Sequence, residues 1–240
     1  CTSAVAVPQP MYNEVLRMHH TGPDEGSHLG HRKMYPLLRS RFWWPTMYRD
    51  LDQYIRSCLL CQKHKLPVRP DAPLQEGYAA TKPMEVVAVD ALALPESTLG
   101  IKHVLVAMDH YSRFAWVFPT RSLLAEEVLA RVRSRVFDIF GWPEILLTDG
   151  GPEFFNEKWQ SEAKRHGTTT RYIAPLNPQA NGVVERMNRT IIGCLGRCVG
   201  GKTAEWQGIL SSVVYSINTA ASNDSSVSPF ELMFGKTPPA

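Results

Sequence analysis

The spacing of hydrophobic positions divides the chain into two parts. Residues 11–66 carry apolar side chains at roughly helical spacing in three segments, EVLRMHH, RKMYPLLRSRF and TMYRDLDQYIRSCLLCQKH. This spacing predicts three short helices. Residues 66–83 contain four prolines and little periodicity, which predicts an extended linker and a domain boundary.

Beyond the linker the pattern changes to short runs of β-branched, aromatic and other apolar residues. Five such runs predict strands: MEVVAVDALAL, KHVLVAMDHY, RFAWVFPT, EILLTDGG and TTTRYIA. Amphipathic helices are predicted over LLAEEVLARVRSRVFDIFG, which ends at Gly141, and over NEKWQSEAKRHG, GVVERMNRTIIGCLGRC and TAEWQGILSSVVYSINTAA. The order β-β-β-α-β-α-β-α-α is typical of an α/β domain with helices packed on a mixed sheet.

Composition narrows the functional class only partly. The chain has 240 residues, 44% of them hydrophobic, which is enough for one large domain or two modest ones. A net charge of +3 is only mildly basic, so a nucleic-acid surface must come from local clustering. Because the first residue is not Met and GKTPPA adds no closing element, we expect a fragment of a longer polypeptide.

Cysteine usage and the absence of long apolar runs bear on the compartment. Five cysteines without regular spacing favour a reducing compartment and metal binding over a disulfide scaffold. No run approaches the roughly 18 apolar residues of a membrane span, and the first residues lack the pattern of a signal peptide. We therefore expect an intracellular protein.

The first predicted domain contains the residues of a zinc site. Cys58 and Cys61 have the spacing that lets both thiolates reach one tetrahedral ion. A domain with so small a hydrophobic core needs a bound metal ion of this kind for stability. The alternative is that both cysteines are core residues and the upstream histidines lie on the surface by chance. We predict His28 as a ligand because the following Gly30 turn can aim its ring. Of His19 and His20, both at the end of the first predicted helix, we favour His19.

Three acids in the second domain form a candidate cation site. Asp90 lies inside the apolar run VVAVDALAL, where an ionised carboxylate is costly unless it is paired or bound to a metal. Asp149 follows the predicted strand EILLT, and Glu185 lies on the helix that starts near Pro178. Such acids can converge on two divalent ions that clamp the oxygens of a phosphoryl displacement, and oxygen ligands favour Mg²⁺ or Mn²⁺.

Each acid has an ordinary alternative when it is taken alone. Asp149 with Gly150 is a common turn pair, and Glu185 by itself is a solvated helix residue. Asp109 also ends a predicted strand, where it can cap a turn or hydrogen-bond a neighbour. Cys194, with Cys198 four residues later, is interpreted as a packing residue rather than part of a second site.

These motifs resemble the integrases of retroviruses and long-terminal-repeat retrotransposons, most closely the gypsy-like class. The resemblance rests on the HH…H pattern followed by RFWWPTM and YIRSCLLCQKHK, and on VVAVD, LLTDGGPEF and NPQANGVVER. The family's core carries two aspartates and a glutamate with 35 residues between the last two, and 35 residues separate Asp149 from Glu185. The resemblance covers about residues 11–237 and implies an RNase H-like core, with a mixed five-stranded sheet flanked by helices, after a small helical zinc-binding domain.

The resemblance also implies residue roles. The catalytic, Mg²⁺-binding acids are Asp90, Asp149 and Glu185, and the Zn²⁺ ligands are His28, Cys58 and Cys61 with His19 or His20. From their positions on the helix of the glutamate, we predict DNA contacts at Arg186, Asn188 and Arg189.

The implied activity is that of a DNA integrase, a polynucleotidyl transferase with metal-dependent endonuclease activity. It trims the 3′ ends of retroelement DNA and joins them to target DNA by two-metal phosphoryl transfer. Joining two ends implies a homo-oligomer. We expect nuclear action on chromosomal DNA after passage through cytoplasmic particles.

The implied organisation is a His-His-Cys-Cys zinc-binding domain in residues 1–66, a linker in 67–83, the catalytic core in 84–225 and the start of a C-terminal extension in 226–240. One rival hypothesis is a domesticated host protein that keeps this fold for DNA or protein binding without catalysis, which the presence of all three acids disfavours. Another is a plain ribonuclease H or nuclease, which leaves the zinc module unexplained.

Overall fold

The computed structural model describes residues 4–23, 26–64, 80–173, 178–200, 203–221 and 227–238. These residues belong to two compact units, one made of Cys1–Pro67 with Ile191–Ala240 and the other of Val68–Thr190. The predicted linker lies mostly outside the described residues. Within the described part of the chain, no helix combines the length and the apolar character needed to cross a membrane.

The N-terminal part of the first unit is helical. Its elements in chain order are β1 (Val5–Ala6), α1 (Tyr12–Thr21), α2 (His31–Arg39), β2 (Phe42–Trp43), α3 (Met47–Ser57) and α4 (Leu59–Lys63). The two short strands pair in parallel. The third predicted helix is in fact two helices, because Cys58 has an extended backbone, with φ −68° and ψ 112°. Cys58 lies at this break, and Cys61 lies in the helix that follows it.

The helices of this unit enclose a small core. The amphipathic α1 to α3 bury Leu16, Met34, Leu38 and Leu51, each at most 1% exposed. Burial of each such side chain contributes about 1.5–3 kcal/mol, which is modest against the conformational entropy of some fifty ordered residues. A further source of stability is therefore expected in this part of the chain.

The second unit is built on a five-stranded mixed sheet. Its elements are β3 (Val86–Ala93), β4 (His103–Asp109), β5 (Ala115–Thr120), α5 (Ala125–Val132), α6 (Asp138–Phe140), β6 (Ile145–Thr148), α7 (Glu157–Arg165), β7 (Thr169–Tyr172) and the start of α8 (Pro178–Cys198). The end of α8, α9 (Trp206–Thr219) and α10 (Pro229–Phe234) belong to the first unit. The strand order is β5-β4-β3-β6-β7. Neighbours are antiparallel from β5 to β3 and parallel from β3 to β7.

This sheet confirms the predicted α/β fold class and its five strands. The helix after β5 ends at Gly141 as predicted, where φ is +92°, a left-handed value that favours glycine. A π-helical segment, Arg133–Phe137, joins α5 to α6. The predicted domain boundary at residue 225 stays a prediction. The division into compact units is a different one and falls near residue 190.

The register of β3 and β6 determines where two acids lie. Ala88 pairs with Leu147, and Asp90 and Asp149 each follow two residues later. Because side chains alternate along a strand and neighbouring strands are about 4.8 Å apart, the two acids lie on the same side of adjacent strands. Val184 of α8 is fully buried in a cluster with Ala88 and Leu147, so the residue next to Glu185 packs against this part of the sheet.

Candidate metal centres

Four side chains of the first unit form a compact group of possible metal ligands. Nitrogen and sulfur atoms of His20, His28, Cys58 and Cys61 all lie within 4.8 Å of one another. The end of α1 carries His20, the turn before α2 carries His28, the break before α4 carries Cys58, and α4 itself carries Cys61. His28 has a left-handed backbone with φ 55°, and its amide donates to the carbonyl oxygen of His20 over 2.9 Å. These local structures bring both rings to the sulfur atoms.

The distances in this group match a zinc tetrahedron. Nε2 of His20 lies 3.3 Å from Nδ1 of His28 and 3.3 Å from Sγ of Cys61. Nδ1 of His28 lies 3.5 Å from each of the two sulfur atoms. Nitrogen and sulfur ligands of one tetrahedral Zn²⁺ ion are about 3.3–3.6 Å apart when the Zn–N and Zn–S bonds have their usual lengths. The residues present therefore fit Zn²⁺.

The protonation of the group also suits a metal. Burial lowers the pKa of His20 to about 3 and the pKa of His28 to about 4, so both imidazoles are neutral, the form that binds metal. Burial raises the pKa of Cys61 to about 12. This thiol therefore keeps its proton until a cation displaces it.

The choice of His19 as a ligand is corrected by the structure. His20 belongs to the group, whereas the ring of His19 packs against Phe42 with centroids 5.1 Å apart. His20 follows Leu16 by four residues, so the two share one face of α1, and Leu16 is 1% exposed. This spacing is the sequence signal that identifies His20.

Two further cysteines lie outside this group. Cys194 is fully buried, and Nη2 of Arg197 lies 3.5 Å from its sulfur atom. Cys198 is half-buried. Neither is a member of the metal group found among the described residues, and their interpretation as packing residues stays a prediction.

In the second unit, Asp90 is held by two hydrogen bonds. Its Oδ1 accepts from the amide of Ala91 over 2.8 Å, and its Oδ2 accepts from Nδ2 of Asn188 over 2.7 Å. Asn188 follows Glu185 by three residues, so both project from the same side of α8. Oδ1 of Asn188 is buried and has no hydrogen-bond partner among the described residues. The asparagine predicted to contact DNA therefore reaches the aspartate of β3.

The electrostatics around Asp90 favour a cation. Burial raises the pKa of Asp90, and the negative charges of Asp149 and Glu153 add to that rise. Among the described residues, no positively charged side chain contributes to lowering it. The half-buried Asp90, its acidic neighbours and the unpartnered amide oxygen of Asn188 offer the hard oxygen ligands that Mg²⁺ and Mn²⁺ prefer. Glu153 is a carboxylate that the sequence reasoning left out.

The three predicted acids are not gathered around one point. Asp149 is exposed, and its Oδ1 accepts from the amide of Gly151 over 3.0 Å. The Glu185 carboxylate lies 3.8 Å from the guanidinium of Arg189. Among the described residues, only the histidine and cysteine group brings three or more possible ligand residues within 4.8 Å of one another. The structure thus brings Asp90 next to Asp149 and turns Glu185 toward Arg189.

Asp109 caps a turn, one of the two roles that its position at the end of a strand predicted. The side chain is fully buried. Oδ1 accepts from the amide of Met84 over 2.8 Å, and Oδ2 accepts from the amide and hydroxyl of Ser112 over 2.7 and 2.6 Å. All its contacts are structural, so it caps the turn between β4 and β5.

The remaining predicted DNA contacts lie on α8. Arg186 is exposed. The pKa of Arg113 is lowered mainly by burial and, to a smaller extent, by the positive charge of Arg186. Arg189 makes the ion pair with Glu185 described above. DNA binding by these residues stays a prediction.

Two protein families match this chain. Residues 7–67 match the family described as integrase zinc binding domain, and residues 80–178 match the family described as integrase core domain. Among curated proteins, the Pro-Pol polyprotein of feline foamy virus is 28% identical over 210 residues, covering 87% of this chain and 18% of that protein. The transposon Tf2-3 polyprotein of Schizosaccharomyces pombe is 29% identical over 230 residues, covering 93% of this chain and 17% of that protein. The chain thus spans less than a fifth of the length of these relatives.

Two solved structures share the fold. One is the HTLV-2 integrase catalytic core domain in complex with magnesium, in a trimeric form, with TM-score 0.54 and 16% identity over 64% of this chain and 99% of that chain. The other is the simian T-cell lymphotropic virus intasome in complex with PP2A regulatory subunit B56 gamma, with TM-score 0.60 and 18% identity over 82% of this chain and 71% of that chain. At these identities the likeness is one of fold, and it confirms the RNase H-like core expected from the motifs.

Proposed function

We propose, from the premise that this chain belongs to the integrase family of retroviruses and long-terminal-repeat retrotransposons, that it is a DNA integrase. In this proposal it trims the 3′ ends of retroelement DNA and joins them to target DNA. The family rests on the two matched domains, which follow one another along the chain. One observation carries the activity: Asp90 of β3 lies near Asp149, which directly follows the neighbouring parallel strand β6, and Asn188 of the Glu185 helix donates a hydrogen bond to Asp90. Among the described residues, no cationic side chain lowers the pKa of Asp90.

The chain's own residues prepare the site. Mg²⁺ or Mn²⁺ held by Asp90, Asp149 and Glu185 would supply a clamp on the attacking and leaving oxygens of a phosphodiester. Asn188 and the Ala91 amide hold the Asp90 carboxylate in one orientation. Glu185 has to leave Arg189 to join the other acids, and a partly exposed ion pair of this kind contributes at most about 1 kcal/mol. The structure therefore opposes that movement only weakly.

Both steps are direct displacements at phosphorus. In trimming, water attacks a phosphodiester near the 3′ end of the element's DNA. The bond between phosphorus and the retained strand's 3′-oxygen breaks, that oxygen takes up a proton, and the phosphate leaves with the departing nucleotides. In joining, the freed 3′-hydroxyl attacks a target phosphodiester, and the target's own 3′-oxygen leaves and takes up a proton. Neither step needs a covalent protein intermediate, so no serine, tyrosine or cysteine nucleophile is required.

The proposal includes the other parts of the assembly. Zn²⁺ is the ion of the His20, His28, Cys58 and Cys61 group, where it holds the small helical domain together. Arg186, Asn188 and Arg189 contact the DNA near the acids. A homo-oligomer brings two active sites to two DNA ends, which the intasome and the trimeric core among the similar structures support. The site of action is the nucleus, where the target is chromosomal DNA.

Strand transfer with Mg²⁺ on a short duplex that carries the element's ends tests the proposal. We expect wild type to join DNA and Glu185→Gln to lose joining. The control is Glu127→Gln, which removes an exposed acid of α5 and should join like wild type. If wild type joins no better than Glu185→Gln while still binding DNA, the enzyme proposal is wrong and the non-catalytic alternative is favoured.

A further inference from the structure

A cleft of about 520 Å³ lies between α7 and β7 in the second unit. Four of its side chains converge from two elements. Gln160 and Lys164 are four residues apart on α7 and share one face of the helix. Thr170 and Tyr172 are two residues apart on β7 and share one face of the sheet. Gly167 and Thr168 complete the lining.

Two hydroxyl groups in this lining have no partner. Oγ1 of Thr170 and Oη of Tyr172 are covered from solvent and make no hydrogen bond within the described part of the chain. Polar groups of this kind cost free energy unless an acceptor reaches them. The third hydroxyl is satisfied, because Thr168 donates to the carbonyl oxygen of Pro143 over 2.7 Å. A ligand with oxygen acceptors would satisfy the other two.

The charge of the cleft is positive. Lys164 is exposed and forms no ion pair with any described residue, whereas Lys158 on the same helix pairs with Glu126 and Arg165 pairs with Glu162. No aspartate or glutamate lines the cleft. The uncommitted groups are therefore donors: one ammonium, one amide and two hydroxyls. A ligand that matches this set is an anion with several oxygen atoms.

The cleft lies beside a catalytic acid of the proposed site. Tyr172 pairs in register with Thr148, the residue before Asp149. A side chain at Gly150 would meet the ring of Tyr172 at 3.8 Å, so the ring also borders the turn after Asp149. Since side chains alternate along a strand, Tyr172 shares the sheet face of Thr148, opposite to that of Asp149. The cleft therefore adjoins the turn after Asp149 from the other face of the sheet.

We propose that this cleft binds a backbone phosphate of the DNA that the chain holds. Lys164 pairs with the phosphate, and the hydroxyls of Thr170 and Tyr172 donate to its oxygens. The volume exceeds that of one phosphate and leaves room for an attached sugar. Gln160 and Lys164 are long and exposed, so they can turn aside to admit the strand. The choice of DNA over a free anion rests on the proposed function.

Salt-dependent DNA binding tests this site directly. Anisotropy of a labelled duplex is measured with the zinc-loaded full chain at several salt concentrations. We expect Lys164→Gln to weaken binding about tenfold at low salt and to reduce the steepness of the salt dependence by about 0.9, the value for one lost phosphate contact. Tyr172→Phe removes only the hydroxyl, so it should weaken binding several-fold and leave the steepness unchanged.

The control is Lys158→Gln, which removes the same charge from the same helix and should keep the wild-type steepness. If Lys164→Gln matches Lys158→Gln in affinity and steepness, the cleft does not bind DNA. Competition by inorganic phosphate at constant ionic strength is a second arm. One outcome is that phosphate competes with DNA for wild type, that Lys164→Gln abolishes this competition, and that the salt dependence of DNA binding keeps its steepness. This outcome would indicate a free-phosphate site and overturn the DNA assignment.

Strand transfer measured in parallel separates the two proposals. A wild type that fails to join DNA, together with reduced steepness in Lys164→Gln, contradicts the integrase activity and supports the cleft as a phosphate site. A wild type that joins DNA, together with unaltered binding in Lys164→Gln, contradicts only the cleft.

Discussion

The two candidate metal centres differ in how far the protein alone assembles them. In the first unit, His20, His28 and Cys61 lie at the distances of a zinc tetrahedron. In the second, Asp90 and Asp149 are neighbours, while Glu185 turns to Arg189. One centre is ready for its ion and the other still has to close.

The difference follows from the charge of the ligands. Neutral imidazoles and a protonated Cys61 thiol can lie together without repulsion, and burial favours those forms of His20, His28 and Cys61. Three carboxylates repel one another unless a cation lies between them. A histidine and cysteine site can therefore form part of a small core, whereas an acidic site closes only when the ion is bound.

The largest expected effect comes from breaking the assembled centre. His20→Ala should lose zinc and unfold the helices of residues 12–63, because a structural zinc site contributes about 10–16 kcal/mol of apparent binding free energy to such domains. Zinc content and far-ultraviolet circular dichroism measure both effects. The matched control is His19→Ala, which should keep one zinc per chain. Loss of zinc in His19→Ala with retention in His20→Ala would reverse the assignment.

The second effect separates catalysis from folding. Asp90→Asn should reduce DNA joining at least about a thousandfold, since ion binding supplies several kcal/mol of transition-state stabilisation, while the chain stays folded. Mg²⁺ should raise the melting temperature of wild type and leave that of Asp90→Asn unchanged. An equal rise in both proteins would show that Asp90 does not bind the ion.

The same variant gives a pH test with a definite sign. Burial raises the pKa of Asp90 above its ordinary value of 3.8, so the folded state holds the proton more tightly than the unfolded state. Without metal, this residue's contribution to stability is then lost as the pH rises above 3.8 through the raised value. Asp90→Asn should therefore be at least as stable as wild type at pH 7, as measured by denaturant unfolding in EDTA.

Local patterns explain why so much of the fold was predictable. The apolar run around Asp90 and the helical run ending at Gly141 each depend on neighbours in sequence, so the five strands and their helices could be predicted from local patterns. Asp90 within β3 and Asp149 directly after β6 could also be placed, because each belongs to or follows an apolar strand run.

Other features depend on contacts between distant residues. The break at Cys58 lies where the two cysteines meet His20 and His28, which are far upstream in the sequence. Helical spacing within residues 47–63 does not reveal this break. The choice of His20 depends on which face of α1 meets the core. The hydrogen bond of Asn188 to Asp90 joins residues 98 positions apart, so the sequence alone does not predict it.

The third effect concerns the orientation of Asp90. Asn188→Ala removes the 2.7 Å hydrogen bond from Nδ2 to Asp90 and should slow joining by tens of fold, because a charge-assisted hydrogen bond contributes about 1.5–3 kcal/mol. That bond also lowers the pKa of Asp90. The acid limb of the pH–rate profile should therefore move to higher pH, which a purely structural role would not cause. An unmoved limb would contradict the positioning role.

The smallest effect tests how weakly the acidic centre is held open. Arg189→Gln frees Glu185 from a partly exposed ion pair, so Mn²⁺ affinity should rise by less than about fivefold. Titration calorimetry on the zinc-loaded chain measures it, and Arg186→Gln, which leaves that pair intact, is the control. A large rise in Arg189→Gln alone would mean that the ion pair blocks the site far more strongly than its exposure indicates.

A crystal structure of the zinc-loaded chain soaked in Mn²⁺, with anomalous scattering recorded for both metals, tests the contrast most directly. We predict zinc on His20, His28, Cys58 and Cys61 with little change in these side chains. We also predict manganese on Asp90 and Asp149, with Glu185 moved from Arg189 to the ions. Manganese bound elsewhere while Glu185 remains on Arg189 would contradict a two-metal site built from these three acids.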